Sequence, residues 1–108
     1  MTDIITDTHE FSISIILHAD LQIQNVVYPS TVEIGEDFDI EYDAYNTGET
    51  DTCWGHILDG VNELAGSRWE DTINAGATKH VVHTVSGGIS EDKSYTIEVG
   101  YTKTTGPS

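Results

Sequence analysis

Residues 32–48 read VEIGEDFDIEYDAYNTG, and the alternation inside them decides the fold. Between Asp37 and Ala44 the pattern never slips: Phe38, Ile40, Tyr42 and Ala44 face one way, Asp37, Asp39, Glu41 and Asp43 the other. Successive side chains of a strand point to opposite faces, so a period of two marks a strand with one face buried and one in water. Ile34-Gly35-Glu36 before it and Asn46-Thr47-Gly48 after it carry residues that tolerate the backbone angles of tight turns. A central strand of an all-β domain is the expectation.

The flanks alternate too. In Phe11–Leu17, FSISIIL, the residues Phe11, Ile13, Ile15 and Leu17 share one face and Ser12, Ser14 and Ile16 the other. Residues 19–28 predict a strand with Leu21 and Ile23 inward and a bend near Asn25, broken by Pro29 and Ser30. Cys53–Leu58 predicts another, with Cys53 and Trp54 in the core. Asp59-Gly60 is a hairpin-turn dipeptide that sends the chain back through Glu63 to Trp69. Residues 73–77 read as a turn before a β-branched strand over 78–86. After a polar loop at Gly87-Gly88, Ser94–Thr102 alternates Tyr95, Ile97, Val99 and Tyr101 against Thr96, Glu98 and Gly100. Short strands separated by turn residues, with no helical periodicity, predict an antiparallel β-sandwich of about seven to eight strands.

Composition narrows the function. The 108 residues hold 19 acidic and 4 basic side chains, a formal charge of −15. Contacts to phosphate need Lys and Arg, so nucleic acid and anionic membrane surfaces are excluded as electrostatic partners. Cys53 is the single cysteine, which rules out an internal disulfide, a CxxC redox pair and a cysteine-rich zinc site. No apolar run approaches the ~20 residues of a membrane-spanning helix. Asp3, Asp7 and Glu10 stand where a secretory signal would carry a basic start and an apolar run. The expectation is a domain of a larger surface protein, or a short protein placed on a surface without classical secretion, such as a virion component.

Residues 19–23 (ADLQI), 32–51 (VEIGEDFDIEYDAYNTGETD), 57–60 (ILDG), 73–85 (INAGATKHVVHTV) and 94–101 (SYTIEVGY) occur in an order that resembles the CARDB family, the cell-adhesion-related domain of bacteria and archaea. The resemblance covers about residues 19–102 and rests on turns: Gly35, Asn46-Thr47-Gly48, Asp59-Gly60 and Ala75-Gly76. It implies an immunoglobulin-like sandwich in a surface or adhesive setting and transfers no catalytic or binding residue. The implied organisation is an N-terminal arm over 1–18 with an extra strand, the domain over 19–102 and a tail over 103–108. One departure stands out. The family pattern has a last strand after the SYTIEVGY-type strand, whereas here six residues follow Thr102. An uncovered sheet edge exposes unpaired backbone groups. Phe11, Ile13, Ile15 and Leu17 are accordingly the candidate assembly strand, filling that place within the chain or in a neighbour; an ordinary edge strand elsewhere is the alternative.

Other chemistry is weaker in the sequence. Alternate carboxylates of the Asp37–Asp43 row lie ~7 Å apart along an extended strand, and a flat strand does not converge oxygens on a calcium ion. Asp20, Glu49, Asp51, Glu91 and Asp92 fall near loop ends, where a sandwich can gather a cation. His80 and His83 are three apart and so on opposite faces of a strand. No nucleophile-and-base signature or phosphate loop is present, so no enzyme and no cofactor is expected. Trp69, after Arg68, is either core or an exposed surface contact of the kind used for sugars and interfaces. The reading is a non-enzymatic structural or adhesive module with protein partners, self-assembling or docking on a larger extracellular surface, virion or cell envelope. Virion surface or decoration protein is the first form of it, a spacer domain of a cell-surface protein the second. A carbohydrate- or calcium-binding accessory module is the rival of another class.

Overall fold

The alternating residues of the opening stretch become the middle strand of a sheet. The computed structural model describes residues 18–102 together with 4, 6–10, 12 and 13. Among these the chain is all-β, with strands β1 (Leu21–Val27), β2 (Phe38–Asn46), β3 (Asp51–Asp59), β4 (Asn62–Glu63), β5 (Trp69–Ile73), β6 (Thr78–Val85) and β7 (Tyr95–Tyr101). They form two antiparallel sheets packed as a sandwich. One has the order β1-β2-β6. The other is built on β3: β7 takes one of its edges along Cys53–Asp59, so β5 and the two-residue β4 share the opposite edge, each on its own half.

The core lies where the inward residues of β2 and β3 meet. Ile40, Tyr42 and Ala44 from β2 face Cys53 and Ile57 from β3, with Ile73 and Val81 closing the sides. Burial in β2 follows the predicted parity along its whole length. β1 is different: only Leu21 is half-buried, and Ile23, expected inward beside it, is exposed with the remaining residues. Asn25, at φ 52°, breaks its register against β2 between Gln24 and Val27, which is the bend expected there.

Two further expectations are corrected. The return strand expected through Glu63 to Trp69 is interrupted: β4 ends at Glu63, and Gly66 at φ 77° turns the chain before β5 begins at Trp69. Ser67 makes the interruption tolerable. Its buried hydroxyl accepts the Ile57 N–H at 3.1 Å and donates to the Leu64 carbonyl at 2.8 Å, standing in for ladder bonds. Trp54 is not in the core. Cys53 points inward, so by strand parity its neighbour points outward, and the Trp54 indole lies over Gly100 on the outer face. Of the expected strand over Phe11–Leu17, Phe11, Ile15 and Leu17 lie outside the described residues, as does the tail over 103–108. Ile13 is described: it is 84 % exposed and belongs to no strand.

Candidate functional site

The sandwich is unevenly closed along the side where β1 of one sheet and β7 of the other run together. At the Tyr101 end, Ala19 and Leu21 pack with Val99 against the core and seal it. At the Tyr95 end the sheets part around an open groove of about 670 Å3. Val26 and Tyr28 line it from β1 and the segment after it, Phe38 and Ile40 from β2, and Tyr95 and Ile97 from β7. Val26 is 43 % exposed and Tyr28 64 %, so large apolar side chains stand in water at the place where a sandwich normally buries them.

The backbone on the same side is open as well. Among the described residues β7 pairs only with β3. The Thr102 N–H donates to the Thr52 carbonyl at 2.9 Å. Bonded residues alternate along an antiparallel ladder, so the even-numbered residues of β7 bond β3. Tyr95, Ile97, Val99 and Tyr101 therefore turn their N–H and C=O groups to the open side. The Tyr101 carbonyl is capped there by the Trp54 indole N–H at 3.3 Å. Tyr95, Ile97 and Val99 also point their side chains into the core. Among the described residues, one strand thus presents an apolar row and a set of unpaired backbone groups to the same groove.

A polar hub fixes the point at which the N-terminal segment leaves this side. Asn46 is fully buried at the end of β2, and its side chain makes four hydrogen bonds. Its Oδ1 accepts the N–H groups of Asp20 and Gly48 at 3.1 and 2.9 Å. Its Nδ2 donates to the carbonyls of Glu49 and Ile73 at 2.8 and 3.0 Å. The His18 carbonyl accepts the Glu49 N–H at 3.0 Å, and the His18 ring stacks on Tyr101 with centroids 4.5 Å apart. Residue 18 therefore sits beside the last residue of β7. The sequence marks Asn46 as a turn residue; its role as a buried four-way tie depends on elements far apart in the chain and has no local signal.

The acidic face is partnered rather than bare. Asp37 accepts the Gly87 N–H at 2.7 Å and Asp39 the Thr84 hydroxyl at 2.6 Å. Asp43 accepts from the Asn25 amide at 2.9 Å and lies 2.7 Å from His80 Nδ1, while Glu41 approaches the other nitrogen of that ring at 3.4 Å. The Asn25 and His80 bonds hold the Asp43 carboxyl below its ordinary range, and Asp43 in turn raises the His80 pKa. On the other sheet His56 lies 2.7 Å from Glu98 and 2.6 Å from Glu63, one carboxylate at each ring nitrogen. Glu98 first and Glu63 second raise its pKa, because both bonds require the doubly protonated ring. His56 ties β4 and β7 to β3.

The loop acids do not gather. Asp20, Glu49 and Asp51 stand at the end of the sandwich where β3 begins. Glu91 and Asp92 stand at the other end, where Lys93 pairs with Asp59 at 3.2 Å and with Glu91 at 3.4 Å. Among the described residues no three His, Cys, Asp or Glu side chains converge as metal ligands do. Trp69 is half-buried between the two halves of the core. Its ring lies against Gly55, its indole N–H donates to the Tyr42 hydroxyl at 2.8 Å, and Lys79 stands over it at 5.2 Å. A ring held this way offers no free platform. Trp54 is the outward indole, and Arg68 covers it at 5.0 Å. Comparison of the chain with protein-family models, with curated proteins and with solved structures returns no match.

Proposed function

We propose that this chain is a non-enzymatic structural module, a subunit of a surface assembly, whose working surface is the groove between β1 and β7. One observation carries the reading: among the described residues the second sheet ends at β7, with the backbone groups of Tyr95, Ile97 and Val99 turned to the open side beside exposed apolar side chains. A long apolar sheet edge promotes pairing with another chain, and proteins that keep one generally use it. Adding an extended segment to such an edge supplies main-chain bonds, while alternate side chains fill the groove and provide specificity. The net charge of −15 supports the same reading, since it keeps acidic bodies apart until a specific contact holds them. The immunoglobulin-like resemblance of the turns fits a module of this kind.

The test is the solution mass of the full chain by light scattering over a wide concentration range, beside Val26→Glu. The substitution puts a carboxylate into the groove at a half-exposed edge position, where the fold tolerates it. Association of the unmodified chain that Val26→Glu abolishes is the expected result. A monomer at every concentration contradicts an assembly subunit and leaves a spacer domain.

A further inference from the structure

We propose that the groove between β1 and β7 receives residues 11–17 of a second copy of this chain, as a donated strand with Phe11, Ile13, Ile15 and Leu17 directed into it. The inference rests on the assembly reading above and names its partner. Four observations carry it. Length matches: FSISIIL has seven residues and β7 has seven, and both span ~23 Å when extended. Pattern matches: one face of FSISIIL is wholly apolar, as the groove requires, while Ser12 and Ser14 fall on the face that meets water.

Charge matches as well. Residues 11–17 carry no ionisable side chain, in a chain whose net charge is −15, so this segment is among those least repelled by an acidic neighbour. Where it is described, the apolar row is also not buried. Ile13, in the middle of the apolar row, is 84 % exposed, while Val26 and Tyr28 at the groove remain in water. The hub at Asn46 and the His18–Tyr101 stack fix the base of the arm beside the closed end of β7. Copies joined this way bury the apolar row of one and the unpaired edge of the other in a single contact.

The experiment uses three full-length proteins. Ile13→Asp with Ile15→Asp disables the arm and leaves the groove; Val26→Glu disables the groove and leaves the arm. Both changes fall at exposed or terminal positions, and a thermal melt of each checks that the body is folded. The expected result has three parts. The unmodified chain associates, each variant alone is a monomer, and an equimolar mixture of the two gives a species of twice the monomer mass. The doubling arises because one partner still has a groove and the other still has an arm. Exchange protection of the Ile97 and Val99 amides in that mixture, confined to the arm-disabled partner, places the strand.

If Val26→Glu dissociates the assembly and the arm variant does not, the groove binds something other than residues 11–17. The present inference then falls while the assembly reading stands. If neither variant changes the mass, both fall. A monomeric unmodified chain in which Ile13→Asp lowers the melting temperature shows the arm filling its own groove, which also overturns the inference.

Discussion

Replacing Asn46 with alanine should cost more than any other single polar substitution in the sandwich. The substitution strands four backbone groups at once: the N–H of Asp20 and of Gly48, and the carbonyls of Glu49 and Ile73. The Ile73 carbonyl is inside the protein, and leaving it unpaired costs ~1–3 kcal/mol. The other three lie at a part-buried end that water can reach, so each loses closer to ~0.5–1 kcal/mol. The total is about 2.5–6 kcal/mol, a large share of the ~5–15 kcal/mol that holds an ordinary domain together. Urea unfolding followed by tryptophan fluorescence measures it, and the melting temperature should drop on the order of 15 °C or more. Asn46→Asp sharpens the test. It keeps the acceptors but turns a carboxylate oxygen toward two carbonyls, so the folded state favours the neutral acid and raises its pKa. The penalty of ionisation is then present above the unfolded value of ~3.9, and the deficit relative to asparagine should shrink as the pH falls toward 4. A loss below ~1 kcal/mol for Asn46→Ala would refute the idea that this side chain ties the end of the sandwich together.

Other expectations concern packing, protons and charge. A methyl group at Gly55 would lie 2.6–2.7 Å from the Trp69 indole, which is pinned by its bond to Tyr42, so Gly55→Ala should destabilise by ~1–3 kcal/mol and perturb tryptophan emission. Gly100→Ala is the comparison: the same methyl meets Trp54 at 3.0 Å on the outer face, where the ring can tilt, and unfolding curves should show a smaller loss. His56 has its pKa raised by Glu98 and Glu63, so its contribution to stability is complete below the unfolded value of ~6.5 and is lost as pH rises through the higher folded value. Urea midpoints should therefore fall between neutral and alkaline pH, and His56→Gln should flatten that slope; an unchanged slope would remove His56 from the account. Association of the full chain should strengthen from low to physiological salt, because screening cuts the reach of the −15 charge to ~8 Å. Light scattering that shows no ionic-strength dependence contradicts this.

The parts of this structure that were legible in the sequence are those set by neighbours along the chain. Phe38 to Ala44 needed only strand parity, and burial follows it residue by residue. Gly35, Gly60 and Gly76, all at positive φ, needed only the preferences of turns. Ser94–Thr102 likewise alternates as read at Tyr95, Ile97 and Val99, while Tyr101, the last of the row, is exposed. What resisted reading depends on distant residues. Trp54 reads as core because it stands next to Cys53 in a central strand, yet parity allows only one of the two inside, and Cys53 fits the tighter place between Ala44 and Ile73. Trp69 is legible only beside Gly55, which leaves the space for its ring fourteen positions earlier in the chain, and a glycine in mid-strand was the available signal. The acidic row of β2 reads as a bare charged face until β6 supplies Thr84 and His80 and β1 supplies Asn25. The groove beside β7 needed the divergence of two sheets that no single segment encodes.

The central claim is that the side of β7 turned away from β3 is open to a further strand, and residue-resolved amide exchange tests it most directly. At a concentration where the full chain is monomeric, the amides of Thr96, Glu98 and Gly100, bonded to β3, should exchange slowly. Those of Ile97 and Val99, turned to the open side, should exchange orders of magnitude faster within the same strand. Fast and slow amides alternating along β7 is the predicted result. Uniform slow exchange from Tyr95 to Tyr101 in the monomer would show that this edge is already covered, and would contradict the account.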